Sequence, residues 1–86
     1  MPEFVAEQYF SRNDGTGARR AGKAARDAAE QLTREGTEVE LVRSIFVPQD
    51  ETCIFIYEAD SLDSVQLAAQ RAALAFERIA EAAGQP

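Results

Sequence analysis

Residues 39–59, VELVRSIFVPQDETCIFIYEA, decide the fold. Two runs in this stretch, residues 39–47 and 52–59, are dense in β-branched and aromatic residues, which favour strands. Pro48, Gln49 and Asp50 lie between them and are typical of a turn. Two such runs joined by a short polar turn predict a β-hairpin in the middle of the chain.

The stretch before the hairpin predicts one strand and one helix. Residues 3–10 alternate in polarity and contain Val, Tyr and Phe, so a strand is expected there. Residues 13–16 supply turn formers and helix caps, and residues 18–35 are rich in strong helix formers. Gly36 follows where a left-handed residue ends a helix. The buried side of this helix is predicted from a stripe at helical spacing: Ala21, Ala24 or Ala25, Ala28 and Leu32.

The stretch after the hairpin predicts a second helix and allows two interpretations of the C-terminal residues. Asp60 or Ser61 is expected to cap the helix, and Val65, Ala69 and Ala72 form its apolar stripe. Helix formers without Gly or Pro favour one helix over residues 62–83, whereas a strand over residues 76–82 is the alternative. The order β-α-β-β-α needs one more strand to make two split βαβ units. This topology favours a ferredoxin-like α+β fold, βαββαβ, with an antiparallel sheet and two helices on one face.

Composition and charge exclude several classes of function. The 86 residues suffice for one domain, and a charge of -6 argues against nucleic-acid binding, which needs cations for the phosphates. The absence of His excludes Ser-His-Asp and Cys-His catalysis and histidine-bearing zinc sites. The single Cys fits a reducing compartment, and no segment resembles a signal peptide or a membrane span. We therefore expect residues 1–86 to form one cytoplasmic domain with no membrane partner.

Both faces of the predicted hairpin are apolar, which is unusual when helices cover only one side of a sheet. Along residues 52–59, one face carries Cys53, Phe55, Tyr57 and Ala59, and the other carries Ile54 and Ile56. Along residues 39–47, strict alternation places Leu41, Ile45 and Val47 beside Arg43, and Val42 and Phe46 beside Ser44. So short a chain cannot cover both faces. We therefore expect a second copy to pack its sheet on the first, giving a two-fold homodimer of the dimeric α/β barrel type.

Several short motifs in order along the chain resemble a family of small bacterial proteins, domain of unknown function 4242. The motifs are Val5-Ala6-Glu7, Val42-Arg43-Ser44, Ile56-Tyr57-Glu58-Ala59, Ala69-Gln70-Arg71-Ala72-Ala73-Leu74 and Arg78-Ile79-Ala80-Glu81. The similarity covers nearly the whole chain and is best from residue 39 onward. It implies a ferredoxin-like fold, a tendency to dimerise and a final strand at residues 76–82, which is why we place a strand there.

The sequence departs from the family pattern at the position that bears on metal binding. Many members of that family are labelled nickel-binding proteins, and their pattern usually has His-Ser-Tyr in the second strand. This chain has Arg43-Ser44-Ile45 there and contains no histidine, so nickel binding through imidazole does not carry over. The link from the second helix to the last strand also lacks the family's usual Gly and Pro.

Polar residues inside apolar strands form the candidate site. Glu7, Arg43 and Glu58 are costly in a sheet unless they are paired or bind a ligand, and Arg43 suits a carboxylate. Tyr9 and Tyr57 are expected to line the same region. In the structural alternative, Arg43 only pairs with Glu7 or Glu58, across the sheet or across a dimer interface. A third interpretation makes the two glutamates an acid–base pair. Cys53 lies in an apolar run and is given a packing role.

The first predicted helix carries most of the positive charge. Residues 12–26 have a net charge of +4 in a chain of -6, which suits an acidic partner or a solvated face with ion pairs such as Lys23 with Asp27 and Glu30 with Arg34. No catalytic residue and no cofactor is identified. The interpretation is a non-enzymatic homodimer that binds a small molecule or, less surely, a metal ion. The alternatives are a cofactor-independent oxygenase or cyclase of the dimeric-barrel type, and an interaction module that uses the basic helix.

Overall fold

The computed structural model describes residues 1–84, which form one four-stranded sheet and two α-helices. The elements are β1 (Glu3–Tyr9), α1 (Gly15–Arg34), β2 (Val39–Val47), a short 3-10 turn (Pro48–Asp50), β3 (Thr52–Ala59), α2 (Leu62–Arg71) and β4 (Arg78–Ala82). The expected hairpin is therefore confirmed, with strands at the predicted bounds. No helix within the described residues is both long and apolar enough to cross a bilayer.

The sheet has the order β2-β3-β1-β4, and every neighbouring pair of strands is antiparallel. This order and the sequence of elements are those of the ferredoxin-like fold, so the predicted fold class is confirmed. Buried residues of both helices and of the sheet form a single core. The face of the sheet that α1 and α2 pack on is called the covered face below, and the opposite face is called the open face.

Small residues let α1 pack closely on the covered face. Asp14 caps the helix by accepting a hydrogen bond from the Gly17 amide at 2.9 Å, and Ala21, Ala25 and Leu32 are buried as the stripe predicted. At Gly22 the approach is so close that a Cβ atom would lie 2.6 Å from the Ser44 hydroxyl oxygen. The alanine-rich sequence of α1 is thus explained by the short distance between the helix and β2.

A β-bulge in β2 changes the faces expected from strict alternation. The register between β2 and β3 shifts between Leu41 and Arg43, so Val42 is an extra residue. As a result Leu41 lies on the covered face and is buried, while Arg43 lies on the open face. The prediction that these two residues share a face was wrong, because one inserted residue reverses the side on which every later side chain lies.

α2 ends in a turn in which a glycine is usual, but the left-handed position is occupied by an alanine here. Ser61 caps the start of α2, and the helix ends at Arg71. The Leu74 amide donates to the Ala69 carbonyl at 2.9 Å while Ala73 adopts a left-handed conformation, φ 58°. A single helix over residues 62–83 was therefore the wrong alternative. The last strand exists as expected but begins at Arg78 rather than at residue 76.

Candidate functional site

The open face has an apolar centre that nothing in residues 1–84 covers. Cross-strand pairs place Val5 beside Ile56, and Ile54 beside Ile45. All four side chains are half-buried, whereas their sequence neighbours on the covered face, such as Phe55 and Ala6, are fully buried. A cluster of β-branched side chains in the middle of an uncovered sheet is typical of a surface that packs on another molecule.

Three carboxylates cross one end of the open face in a row. Glu58 of β3 is opposite Glu40 of β2 on one side and Glu3 of β1 on the other. Like charges directly opposite one another in a sheet are destabilising, so this acidic row is unfavourable for the isolated chain. No group of three His, Cys, Asp or Glu side chains in the described part of the chain is arranged to hold a metal ion.

Arg43 lies next to the acidic row on the open face. It is opposite Ile56, which is two residues before Glu58 in β3. Its side chain is exposed and makes no ion pair among residues 1–84. The structural alternative in which Arg43 pairs with Glu7 or Glu58 was therefore wrong for the single chain. Glu7 instead accepts a hydrogen bond from Arg78 of β4 at 3.3 Å, an exposed pair at the opposite edge of the sheet.

Tyr9 marks the other end of the open face and is held by a carboxylate. Glu51, in a left-handed conformation at φ 51°, accepts hydrogen bonds from the Tyr9 hydroxyl at 3.3 Å and from the Arg12 amide at 3.1 Å. The Glu77 carboxylate accepts from the Tyr9 amide at 2.9 Å. These contacts fix the Tyr9 ring at the sheet end while leaving it 58% exposed.

Tyr57 is the candidate residue that the structure separates from the rest. It pairs with Phe4 and Leu41 on the covered face and is fully buried, so the expectation that it lines the same region as Tyr9 was wrong. Its hydroxyl group has no hydrogen-bond partner within residues 1–84. Desolvation raises the pKa of this phenol, which therefore keeps its proton at physiological pH.

The single cysteine is a core residue of the covered face. Cys53 is 1% exposed, and burial raises the pKa of its thiol. A buried, protonated thiol is a poor nucleophile, which agrees with the packing role expected from its apolar neighbours.

Two basic side chains of α1 make hydrogen bonds within the chain. Lys23 donates to Asp27 at 2.8 Å, as expected, and Arg26 donates to the Leu41 carbonyl at 3.3 Å, covering the free edge of β2. Beside Arg26 a groove of about 610 Å³ runs between α1 and β2. Its charged lining is mixed and selects no sign of ligand charge: Arg26, Arg34, Glu30, Glu38 and Glu40.

Sequence reasoning missed the residues that organise the ends of the sheet. Arg78, the partner of Glu7, and Glu51, the partner of Tyr9, are each distant in sequence from the residue they contact. Phe76 was also missed, although its ring packs on that of Phe55 at an interplanar angle of 50°. The only signal for these contacts was strand order, since β1 lies between β3 and β4 and receives residues from both flanks.

Comparison with known proteins shows the fold and no more. No protein-family model and no curated protein matches the chain. A crystal structure of SCO4226 from Streptomyces coelicolor A3(2) superposes with a TM-score of 0.75 over 98% of this chain and 99% of that one, at 16% sequence identity. At that identity the likeness supports the ferredoxin-like architecture, and the site must be argued from its own residues.

Proposed function

We propose that this chain is a small-ligand-binding protein that works as a homodimer, with a second copy packed on the open face. The observation that carries the proposal is the apolar centre formed by Val5, Ile45, Ile54 and Ile56, which is half-exposed in the single chain. Sheets that bury both faces need a second layer, and a two-fold interface supplies it from an identical surface.

The distribution of charge on the open face favours one direction for the two-fold axis. An axis parallel to the strands sets the acidic row of Glu3, Glu40 and Glu58 against the same row of the other copy, which is repulsive. An axis across the strands instead sets this row against the Tyr9 end, where Arg12 and Arg78 are paired with Glu51 and Glu7, and so keeps the two acidic rows apart. The second arrangement is also the one that brings the Glu58 end of one copy over the Glu7 and Tyr9 end of the other.

In this arrangement the ligand lies at the border of the interface, where Glu7, Tyr9, Arg43 and Glu58 supply its polar contacts. Arg43 is the anion-binding member, because its guanidinium is exposed and has no ion pair among residues 1–84. A planar guanidinium binds a carboxylate or a phosphate through two parallel hydrogen bonds. The proposed ligand is therefore a small molecule with an anionic group for Arg43, hydrogen-bond donors for the Glu7 and Glu58 carboxylates, and an apolar portion that contacts the isoleucines.

Native mass spectrometry of untagged protein, purified without chelators, tests the assembly. The expected result is a dimer for the wild type and a folded monomer for Ile54→Lys, since a charge in the centre of the interface is costly. Leu67→Lys is the matched control, because Leu67 is 41% exposed on α2, away from the open face. A monomeric wild type, or a dimer that survives Ile54→Lys unchanged, contradicts the proposal.

Native mass spectrometry also tests whether Arg43 binds the ligand. We expect the wild-type dimer to carry additional mass, and Arg43→Ala to lose that mass while remaining dimeric. Arg20→Ala is the control, since Arg20 is exposed on α1 and makes no ion pair in the described residues. Retention of the same mass by Arg43→Ala excludes Arg43 as the anion contact.

A further inference from the structure

The groove between α1 and β2 lies at the edge of the sheet, away from the apolar centre of the open face. Its volume of about 610 Å³ is in the range of small-molecule sites. Ala29, Val39 and Leu41 contribute to its lining and are no more than 3% exposed. Val42, the extra residue of the bulge, also lines the groove and is 40% exposed. The groove therefore offers apolar surface to the side chain of a ligand.

The edge of β2 in this groove is closed to an added strand. The Thr33 hydroxyl donates to the Val39 carbonyl at 2.8 Å and accepts from the Val39 amide at 3.3 Å. Arg26 donates to the Leu41 carbonyl at 3.3 Å. Side chains of α1 thus occupy backbone groups that an extended peptide needs for strand pairing. The groove therefore suits a small molecule and not a peptide strand.

Arg26 is held at the groove with most of its hydrogen-bonding capacity unused. Its contact with the Leu41 carbonyl orients the guanidinium, which carries five N–H donors. It makes no ion pair among residues 1–84. The remaining donors are therefore available to a carboxylate, which a guanidinium binds through two parallel hydrogen bonds.

Glu30, one helical turn further along α1, also lines the groove without an ion pair in the described part of the chain. Its spacing allows a pair with Arg26 or with Arg34, and the sequence-based prediction of a pair with Arg34 was wrong. The same spacing on the same helix does join Lys23 to Asp27, at 2.8 Å. The groove thus presents a guanidinium and a carboxylate that are neighbours on α1 and are not paired with each other.

We propose that the α1–β2 groove binds a free α-amino acid with an aliphatic side chain. The carboxylate of the ligand accepts hydrogen bonds from Arg26, its ammonium group donates to Glu30, and its side chain contacts Val42. An α-amino acid carries opposite charges on neighbouring groups, which matches side chains whose Cβ atoms are about 5–6 Å apart on one helix face. The mixed charge of the groove, which selects no sign of ligand charge, is the charge pattern that a zwitterion needs. The two charged contacts come from α1 of one chain and do not depend on a second copy.

The test compares three probes that differ in one charge each. L-Leucine is the zwitterion, leucine amide lacks the carboxylate, and N-acetyl-leucine lacks the ammonium group. Binding is measured by chemical-shift titration of the ¹⁵N-labelled protein. We expect leucine to bind about 3- to 10-fold more tightly than either derivative, since each lost contact is one exposed charged hydrogen bond. The shifts are expected at the amides of residues 26–34 and 38–42.

Two variants assign the two charges of the ligand. Arg26→Gln should abolish the preference for leucine over leucine amide, and Glu30→Gln should abolish the preference for leucine over N-acetyl-leucine. Arg20→Gln is the matched control, because Arg20 is exposed on α1 outside the groove lining, and it should keep both preferences. Circular dichroism checks that each variant is folded.

Further variants separate this site from the open face. Arg43→Ala and Ile54→Lys should leave leucine binding unchanged, because both residues lie outside the groove lining. Loss of leucine binding in either variant, shifts confined to the open face, or leucine binding no tighter than both derivatives overturns the proposal. A preference for the free carboxylate that survives Arg26→Gln also overturns it. None of these results bears on whether the wild type is a dimer, so the two proposals fail independently.

Discussion

Phe55 and Ile54 are neighbours in β3 and lie in different environments. Phe55 points under the helices and is 0% exposed, whereas Ile54 points to the open face and is half-buried. The covered face buries no charged side chain in the described residues, while the open face combines isoleucines with Glu7, Arg43 and Glu58. A chain that needed only to fold would carry polar residues at Ile54 and Ile56. The apolar residues of the open face are therefore not explained by the folding of the single chain.

The largest expected effect comes from comparing alanine at these two adjacent positions. Phe55→Ala should lower the free energy of unfolding by about 3–5 kcal/mol, because it removes a fully buried ring and leaves a cavity. Ile54→Ala should cost about 1 kcal/mol at concentrations where the chain is monomeric, since its side chain is already partly in water. Urea denaturation followed by circular dichroism measures both. If both variants lost the same free energy of unfolding at low protein concentration, the two faces would not differ in burial as described.

A smaller effect is expected at the C-terminal ends of α1 and α2. α1 and α2 end in the same hydrogen-bonded turn, with Gly36 at φ 106° in the first and Ala73 at φ 58° in the second. Gly36→Ala should destabilise the protein by about 1 kcal/mol, because an L-residue is strained in the left-handed region. Ala73→Gly should stabilise it by up to about 1 kcal/mol for the same reason. Thermal melts of the two variants check this, and a loss of stability in both would show that glycine freedom does not decide these turns.

The smallest effect concerns the ion pair that joins the two helices. Arg71 donates two hydrogen bonds to Glu35, at 2.9 and 3.0 Å, and lowers the pKa of that carboxyl below its ordinary value of 4.5. Because the folded-state pKa is the lower one, the stabilisation is present above about pH 4.5 and is lost as the pH falls through the folded-state value.

Glu35→Gln should therefore melt slightly below the wild type at pH 7, and the gap should close at acidic pH or in high salt, because both groups are exposed. Glu30→Gln is the control, since Glu30 is exposed on α1 and has no ion pair within residues 1–84. A gap that persists at low pH would mean that the Glu35 variant acts through packing or helix propensity.

The hairpin, the capping residues and the alanine stripe of α1 were predictable because each depends on residues close in sequence. Asp14, Ser61 and Gly36 lie where the caps and turn were expected, since capping is settled by the first or last few amides of a helix. The open-face residues Glu7, Arg43 and Glu58 were identified for a local reason too, as polar side chains in apolar strands.

Contacts between distant segments were less predictable. Arg43 and Leu41 were placed on one face because the bulge at Val42 leaves no mark in the amino-acid pattern. Tyr57 was grouped with Tyr9, although alternation along β3 alone already sets it on the side of Phe55. The end of α2 was ambiguous because Ala73 replaces the glycine that normally signals such a turn.

By itself the sequence determined the type of the central elements and the presence of two apolar sheet faces, since hydrophobic periodicity and capping act over a few residues. The last strand, which completes the fold class, was placed from the topology and from what the family resemblance implies. Only the tertiary structure decided which side chains meet. Strand order pairs Glu7 with Arg78 across 71 positions and Tyr9 with Glu51 across 42, and a single inserted residue turns Arg43 to the open face. Register and strand order depend on the packing of the whole sheet, and no short stretch of sequence encodes them alone.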